Sequence, residues 1–156
     1  IKSALSKNMN VKLNLMMGFP EETHRNIFQT LIFIKDAAVM GVNDVYIACF
    51  APYPGSELFE QLHNSGRISN MNDKYFLDLS SYSDLIHSYS YSSHLSNGML
   101  TFYRLGGMLM FYIVSFVLHP KRLFRLFSNV KNKKEESRLD MALIQLIDRF
   151  KRSKKA

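Results

Sequence analysis

Two stretches of this chain carry residue types that could do chemistry together. One is Asn14-Leu15-Met16-Met17-Gly18-Phe19-Pro20-Glu21-Glu22-Thr23, and the other is Phe50-Ala51-Pro52-Tyr53-Pro54-Gly55-Ser56-Glu57. Each is an apolar run that stops at a Gly/Pro turn and then starts a helix. In parallel α/β folds, ligands sit at the turn that follows a strand. Gly18 lets the backbone approach a ligand with no Cβ in the way, and exposed amide and carbonyl groups there suit the edge of a nucleobase. In the second turn Pro52 and Pro54 fix the chain direction, and Gly55 permits a positive φ. Tyr53 would then present its ring or hydroxyl to a substrate. A plain strand-to-helix turn uses the same residues, so the signal lies in the pair of turns rather than in either alone.

Other chemistries find less support. Cys49 is the only cysteine. A disulfide framework within the chain and a Cys-rich metal site are therefore excluded, and a thiol inside an apolar run reads as a small buried hydrophobe. His24, His63, His87, His94 and His119 are scattered, with no acidic or Cys partner at ligand spacing, and read as surface or interface residues. Asp78 with Asp84, and Glu21 with Glu22, are carboxylate pairs, but nothing in their spacing fixes a general acid/base geometry.

The elements that must position the two turns follow from periodicity. Val11 to Met17 alternates as a strand, with Val11, Leu13, Leu15 and Met17 on one face and Lys12, Asn14 and Met16 on the other. Thr23 can cap a helix with Ile27, Leu31, Ile34 and Ala38 inward, and Gly41 ends it. Val45 to Phe50 is short, apolar and β-branched enough for a buried strand. Strand, helix, strand is a βαβ unit, so the strands are expected to be parallel with a right-handed crossover. Ser56 can cap a short helix with Leu58, Phe59 and Leu62 inward, ending at Gly66. Such a unit exposes edges and faces that need covering, and the chain starts at Ile1, so the expectation is the tail of a longer protein whose remaining sheet lies upstream.

From about Ser69 the character changes. Ser80 to Ser96 is rich in Ser and Tyr and reads as an irregular surface segment, with Tyr82, Tyr89 and Tyr91 packing back on a core. Leu95 to Leu118 reads as a long helix. A further helix starts at Pro120 with Leu123, Phe124, Leu126 and Phe127 as its apolar side. The last runs from Glu135 to Phe150, with Leu139, Ala142, Leu143, Leu146, Ile147 and Phe150 as its stripe. At 156 residues the chain suits one domain or part of a larger one. The formal charge is +7, with a pI near 9.5. The excess is concentrated after Pro120, at Lys121, Arg122, Arg125, Lys131, Lys133, Lys134, Arg149, Lys151, Arg152, Lys154 and Lys155. A basic end serves nucleic acid, anionic lipid or solubility. The region before residue 70 is nearly balanced, and no nucleic-acid function is inferred.

On the two turns, residues 1–68 resemble radical S-adenosylmethionine enzymes, in particular the subgroup with an N-terminal cobalamin-binding domain. That subgroup includes the anaerobic magnesium-protoporphyrin monomethyl ester cyclases. Asn14-Leu15-Met16-Met17-Gly18-Phe19-Pro20-Glu21 is similar to the family's G-x-I-x-G-x-x-E strand motif, which lies against the adenosyl part of the cofactor. Met16 matches the apolar position, Gly18 the second glycine and Glu21 the acidic position, while Asn14 replaces the first glycine. The Pro-Tyr-Pro-Gly run with Glu57 looks like the turn after the last strand of the family's partial barrel. The resemblance implies a fold class of α/β: the last βαβ portion of a partial (β/α)6 TIM-like barrel in 1–68, then the Ser/Tyr-rich segment and basic α-helical extension of 69–156. It implies cofactor contacts from Asn14, Met16, Met17, Gly18, Phe19, Glu21, Phe50, Ala51 and Pro52, with Tyr53 facing the substrate. The implied cofactors are S-adenosylmethionine, a [4Fe-4S] cluster that cleaves it to a 5′-deoxyadenosyl radical, and cobalamin. The cluster needs several thiolates, so its ligands, like the cobalamin domain, would lie outside this chain. The chain alone is not expected to be catalytic. The expected partners are the upstream part of the same polypeptide and a small-molecule substrate: a tetrapyrrole, a lipid or another compound undergoing methyl transfer or cyclisation. The expected location is cytoplasmic.

Leu105 to Leu118 has no charged residue but is shorter than the roughly 20 residues of a membrane span. A helix packed on the barrel, an in-plane membrane helix helped by the basic residues that follow, and a full span are the three readings. The second supports an alternative function: a non-enzymatic membrane-surface interaction module, peripheral on the inner face, that binds anionic lipid through this helix and the basic tail.

Overall fold

Alternation of apolar and polar side chains draws Lys12–Met17 into β1, and a continuous apolar run makes Asp44–Cys49 β2. In the computed structural model these two strands pair in parallel as a small two-stranded sheet in an otherwise helical, mixed α/β chain. The structure describes residues 1–69, 71–80, 84 and 88–153. The order is α1 (Lys2–Leu5), β1, α2 (His24–Met40), β2, α3 (Glu57–Asn64), α4 (Asp73–Ser80), α5 (Asn97–Leu118), α6 (Lys121–Lys131) and α7 (Arg138–Ser153). Tyr82, His87, Lys154 and Lys155 lie outside the described residues, as does the Arg152 side chain.

The sequence signals account for most element ends. Thr23 and Asn26 bond reciprocally at the start of α2, the Thr23 amide donating to Asn26 Oδ1 at 2.9 Å. Gly41, at φ +93, closes α2, and the Val42 amide reaches back to the Ala37 carbonyl. Ser56 caps α3 through its hydroxyl, which accepts from the Phe59 amide. α7 starts at Arg138 rather than Glu135. Asp140 Oδ2 accepts from the Glu136 and Ser137 amides while the Asp140 amide donates to Ser137 Oγ, a capping box that sets the boundary. α4 was not anticipated; Tyr75 and Leu79 are its buried positions.

The chain divides into two compact units. One comprises 1–14, 32–46 and 108–156. Its buried residues include Ile34, Ala37, Ala38, Val42, Val45, Phe111 and Ile144, and α6 packs on α7. The other comprises 15–31 and 47–107. Its core gathers Phe50, Phe59, Leu62, Ile68, Tyr75, Leu79 and Tyr91. The expected inward packing of the tyrosines holds for Tyr91, which is buried, and for the half-buried Tyr89 beside it at 4.8 Å between ring centroids.

The apolar side of α6 is turned largely outward: Leu123, Phe124 and Phe127 are exposed, Leu126 is half-buried, and the buried position of this helix is Asn129. The stripe of α7 is also only partly covered, with Leu146, Ile147 and Phe150 exposed.

Candidate functional site

The two post-strand turns both belong to the 15–31 and 47–107 unit, and they lie side by side. The Phe50 amide donates to the Met17 carbonyl at 2.7 Å, which extends the β1–β2 pairing to the ends of both strands. Beyond it the Phe19 and Phe50 rings pack at 4.9 Å between centroids, and Phe50 meets Tyr91 edge-on. Ala51 packs against the core of this unit, and the buried Pro52 offers its carbonyl to the Tyr75 hydroxyl at 2.5 Å. The second turn is thus tied from behind by α4.

Gly18 sits at φ +92, which a residue with a Cβ adopts only under strain. A Cβ there would lie 2.8 Å from Leu100 Cδ2. The space that the glycine leaves is therefore filled by the protein's own leucine rather than kept open for a ligand. Its amide is engaged too, donating to Glu22 Oε2 at 2.5 Å. The nucleobase-edge pairing expected of that amide does not fit this arrangement. Burial pushes the Glu22 carboxyl above its ordinary value, opposed by the amides of Gly18 and Phe19 that bond it. The carboxylate bound to the turn is Glu22; Glu21, which matches the motif, is exposed.

The remaining candidates divide by exposure. Met17 and Pro52 are fully buried, so their side chains belong to the interior and only backbone from them could meet a cofactor. Met16 is 47% exposed, Phe19 36% and Tyr53 54%. These three present apolar or aromatic surface at the turns. Asn14 is exposed two residues before Met16 on β1, and its residue falls in the other unit.

Sequence reasoning missed a polar cleft of about 250 Å³ in the same unit, lined by Arg67, Asn72, Lys74, Tyr75, Asp78 and Tyr91 among others. The Arg67 guanidinium donates to the Tyr91 carbonyl and to Ser93 Oγ, each at 2.7 Å. Burial raises the Tyr75 and Tyr91 hydroxyls, with Tyr53 adding to the first and Tyr89 to the second, so both stay neutral donors. The only warning in the sequence was the run of aromatics and serines from Ser80 to Ser96.

The unit of 1–14, 32–46 and 108–156 holds a second polar cluster, and its groups are satisfied. Asp44 Oδ1 accepts from the Tyr112 hydroxyl at 2.6 Å and Oδ2 from the Arg138 amide at 3.0 Å. Asp140 Oδ2 accepts from Asn129 at 3.0 Å. The adjoining cavity is about 20 Å³, the size of one water. Fully partnered carboxylates around a water-sized void describe a structural network. Two of the histidines sit against aromatic rings: His24 Nδ1 is 3.0 Å from the Tyr103 hydroxyl, and His63 stacks on Phe59. Among the described residues no three His, Cys, Asp or Glu side chains converge on a metal position. Comparison with protein-family models, curated proteins and solved structures finds no match to this chain.

Proposed function

We propose that this chain is the C-terminal part of a radical S-adenosylmethionine enzyme of the cobalamin-binding subgroup, with residues 1–68 as the closing βαβ of its partial (β/α)6 barrel. The observation that carries the reading is the juxtaposition of the two turns: Phe50 bonded to the Met17 carbonyl, and Phe19 against Phe50 at 4.9 Å. Two neighbouring parallel strands whose C-terminal turns stand together make the rim at which such barrels bind ligands. The exposed Met16 side chain on β1 also suits the lumen of a barrel completed by further strands.

The fit to the adenosyl group is partial, and it lies in side chains rather than in the glycine. Met16 and Phe19 can sandwich an apolar, planar group, and Tyr53 can border it from the second turn. Glu22 takes no part as a ligand, since it holds Gly18. The buried Cys49 offers no cluster ligand, so the thiolates would come from elsewhere in the enzyme. Bound together there, cluster and cofactor would supply radical chemistry. The residues of this chain would orient the adenosine and shield it from water. The cleft beside Pro52 suits a small substrate group bearing both an acid and a hydrogen-bond acceptor, met by Arg67, Lys74 and the neutral Tyr91.

The test uses the intact enzyme that contains this chain, reconstituted anaerobically with iron and sulfide. Met16→Asp places a charge on an exposed side chain, so folding survives. We expect 5′-deoxyadenosine formation to fall at least tenfold, while Phe28→Asp, on the exposed face of α2, leaves it unchanged. Equal activity in both variants, or an intact enzyme that forms no 5′-deoxyadenosine, would overturn the reading.

A further inference from the structure

α6 is built inside out. Its inner side is held by polar groups: Arg122 donates to the Val42 carbonyl and to Ser115 Oγ at 2.7 Å and to the Gly41 carbonyl at 2.6 Å, and Asn129 donates to Asp140 at 3.0 Å. Its outer side carries Phe124, 74% exposed, Phe127, 67%, and Leu123, 38%. In the half of α5 within the same unit, Phe111 and Ser115 are buried while Leu109, Ile113 and Val117, each four apart, are exposed. Aromatic and aliphatic side chains in this number are costly in water and mark a surface that something apolar covers.

Charge says what covers it. Lys121 and Lys131 stand exposed on α6 among the aromatics, while Arg125 and Lys134 pair with Glu136 at 3.7 and 2.6 Å and Lys133 with Asp148 at 3.1 Å. Between Asp84 and Glu135 the sequence contains no carboxylate. A second copy of the chain would set cations against cations. An anionic lipid surface satisfies both features, taking the aromatics into its acyl boundary and the cations at its phosphates. A span by α5 is disfavoured, because Arg104 on that helix is fully buried and donates to the Ile47 carbonyl at 3.0 Å. We infer that α6, with the exposed side of Leu109–Leu118, lies in the plane of an anionic membrane surface. The inference does not rest on the nucleoside reading of the turns.

The chain has no tryptophan, so Phe124→Trp, at an exposed position, gives a single reporter. With vesicles of phosphatidylcholine containing phosphatidylglycerol, its emission should shift to the blue and be quenched by brominated acyl chains. Pure phosphatidylcholine should give a much smaller shift, and a Tyr53→Trp reporter none. Adding Lys121→Gln and Lys131→Gln should weaken partitioning about 25-fold, near 1 kcal/mol per cation, and raised salt should do the same. The inference falls if Phe124→Trp shows no shift with anionic vesicles, if the double lysine variant binds as tightly, or if neutral vesicles serve equally well. It also falls if the shift appears in buffer alone and grows with protein concentration, which would make a second copy the occupant.

Discussion

Arg104→Met is the substitution whose cost can be worked from geometry. Arg104 is fully buried on α5, and its guanidinium bonds three acceptors: the Ile47 carbonyl through Nε at 3.0 Å, and the Asp84 carbonyl and Ser88 Oγ through Nη1 at 2.9 and 2.7 Å. Nη2 has no hydrogen-bond partner among the described residues. Methionine keeps much of the volume and removes every donor. The exposed Asp84 can turn its carbonyl to water. The Ile47 carbonyl and the Ser88 hydroxyl are buried and lose their partner, at about 1–3 kcal/mol each. Removing a buried cation with one unpaired nitrogen offsets about 1–2 kcal/mol of this. The net expectation is a loss centred on roughly 2.5 kcal/mol.

With a urea dependence of about 2 kcal/mol per molar for a chain of this size, the unfolding midpoint should fall by about 1–2 M. Far-ultraviolet circular dichroism and tyrosine fluorescence would be followed together, since a two-unit chain need not unfold in one step. Arg104→Lys keeps the charge but not the fork of donors, and should recover only part of the loss. A midpoint for Arg104→Met within about 0.3 M of the parent would refute the reasoning, because the Ile47 and Ser88 oxygens would then have found water or each other.

Three further outcomes follow from the same structure. Gly18→Ala combines a φ of +92 with a Cβ 2.8 Å from Leu100 Cδ2, for an expected loss of about 2–4 kcal/mol; pairing it with Leu100→Ala should return the steric part and leave the dihedral part, and strict additivity in that double-mutant cycle would count against the contact. Burial raises the Glu22 pKa above 4.5, so its contribution is most favourable below that pH and declines as pH rises through the folded value; Glu22→Gln should remove that decline, and an unchanged pH profile in urea unfolding would exclude it. His119 is lowered below 6.5 by burial and then by Arg122, and its Nε2 is buried with no hydrogen-bond partner among the described residues; its contribution is present above pH 6.5 and lost as pH falls through the folded value, so His119→Gln should flatten the acid side of the stability profile.

Local signals made the βαβ portion legible. Alternation at Lys12–Met17, the cap at Ser56 and the stop at Gly41 each act over a few residues, and each appears where the pattern placed it. α4 was illegible because Asp73–Ser80 is short, and its burial depends on Tyr75 reaching the Pro52 carbonyl 23 residues away in sequence. Gly18 shows the same limit within the candidate site. A glycine at a turn signals a positive φ and a missing Cβ, but not what fills the space. Leu100, on a helix 82 positions later, fills it.

The helices after Ser96 show a limit of a different kind. Periodicity reveals that Leu123, Phe124 and Phe127 share a side of α6, but it carries no sign, so the same spacing fits a face buried in a core and a face laid on a membrane. The sign comes from the other side of the helix. Where that side holds Arg122 and Asn129, both bonded into the protein's own carbonyls and carboxylates, the polar face is the one already used. The apolar face is then what remains for a partner. On α5 the buried side mixes Arg104 and Ser115 with Leu100, Gly107 and Phe111, opposite the exposed Leu105, Leu109 and Ile113. Both helices turn hydrocarbon outward, and on α6 the inner side is held through polar groups. On the inference drawn above, the surface that covers that hydrocarbon is an anionic membrane.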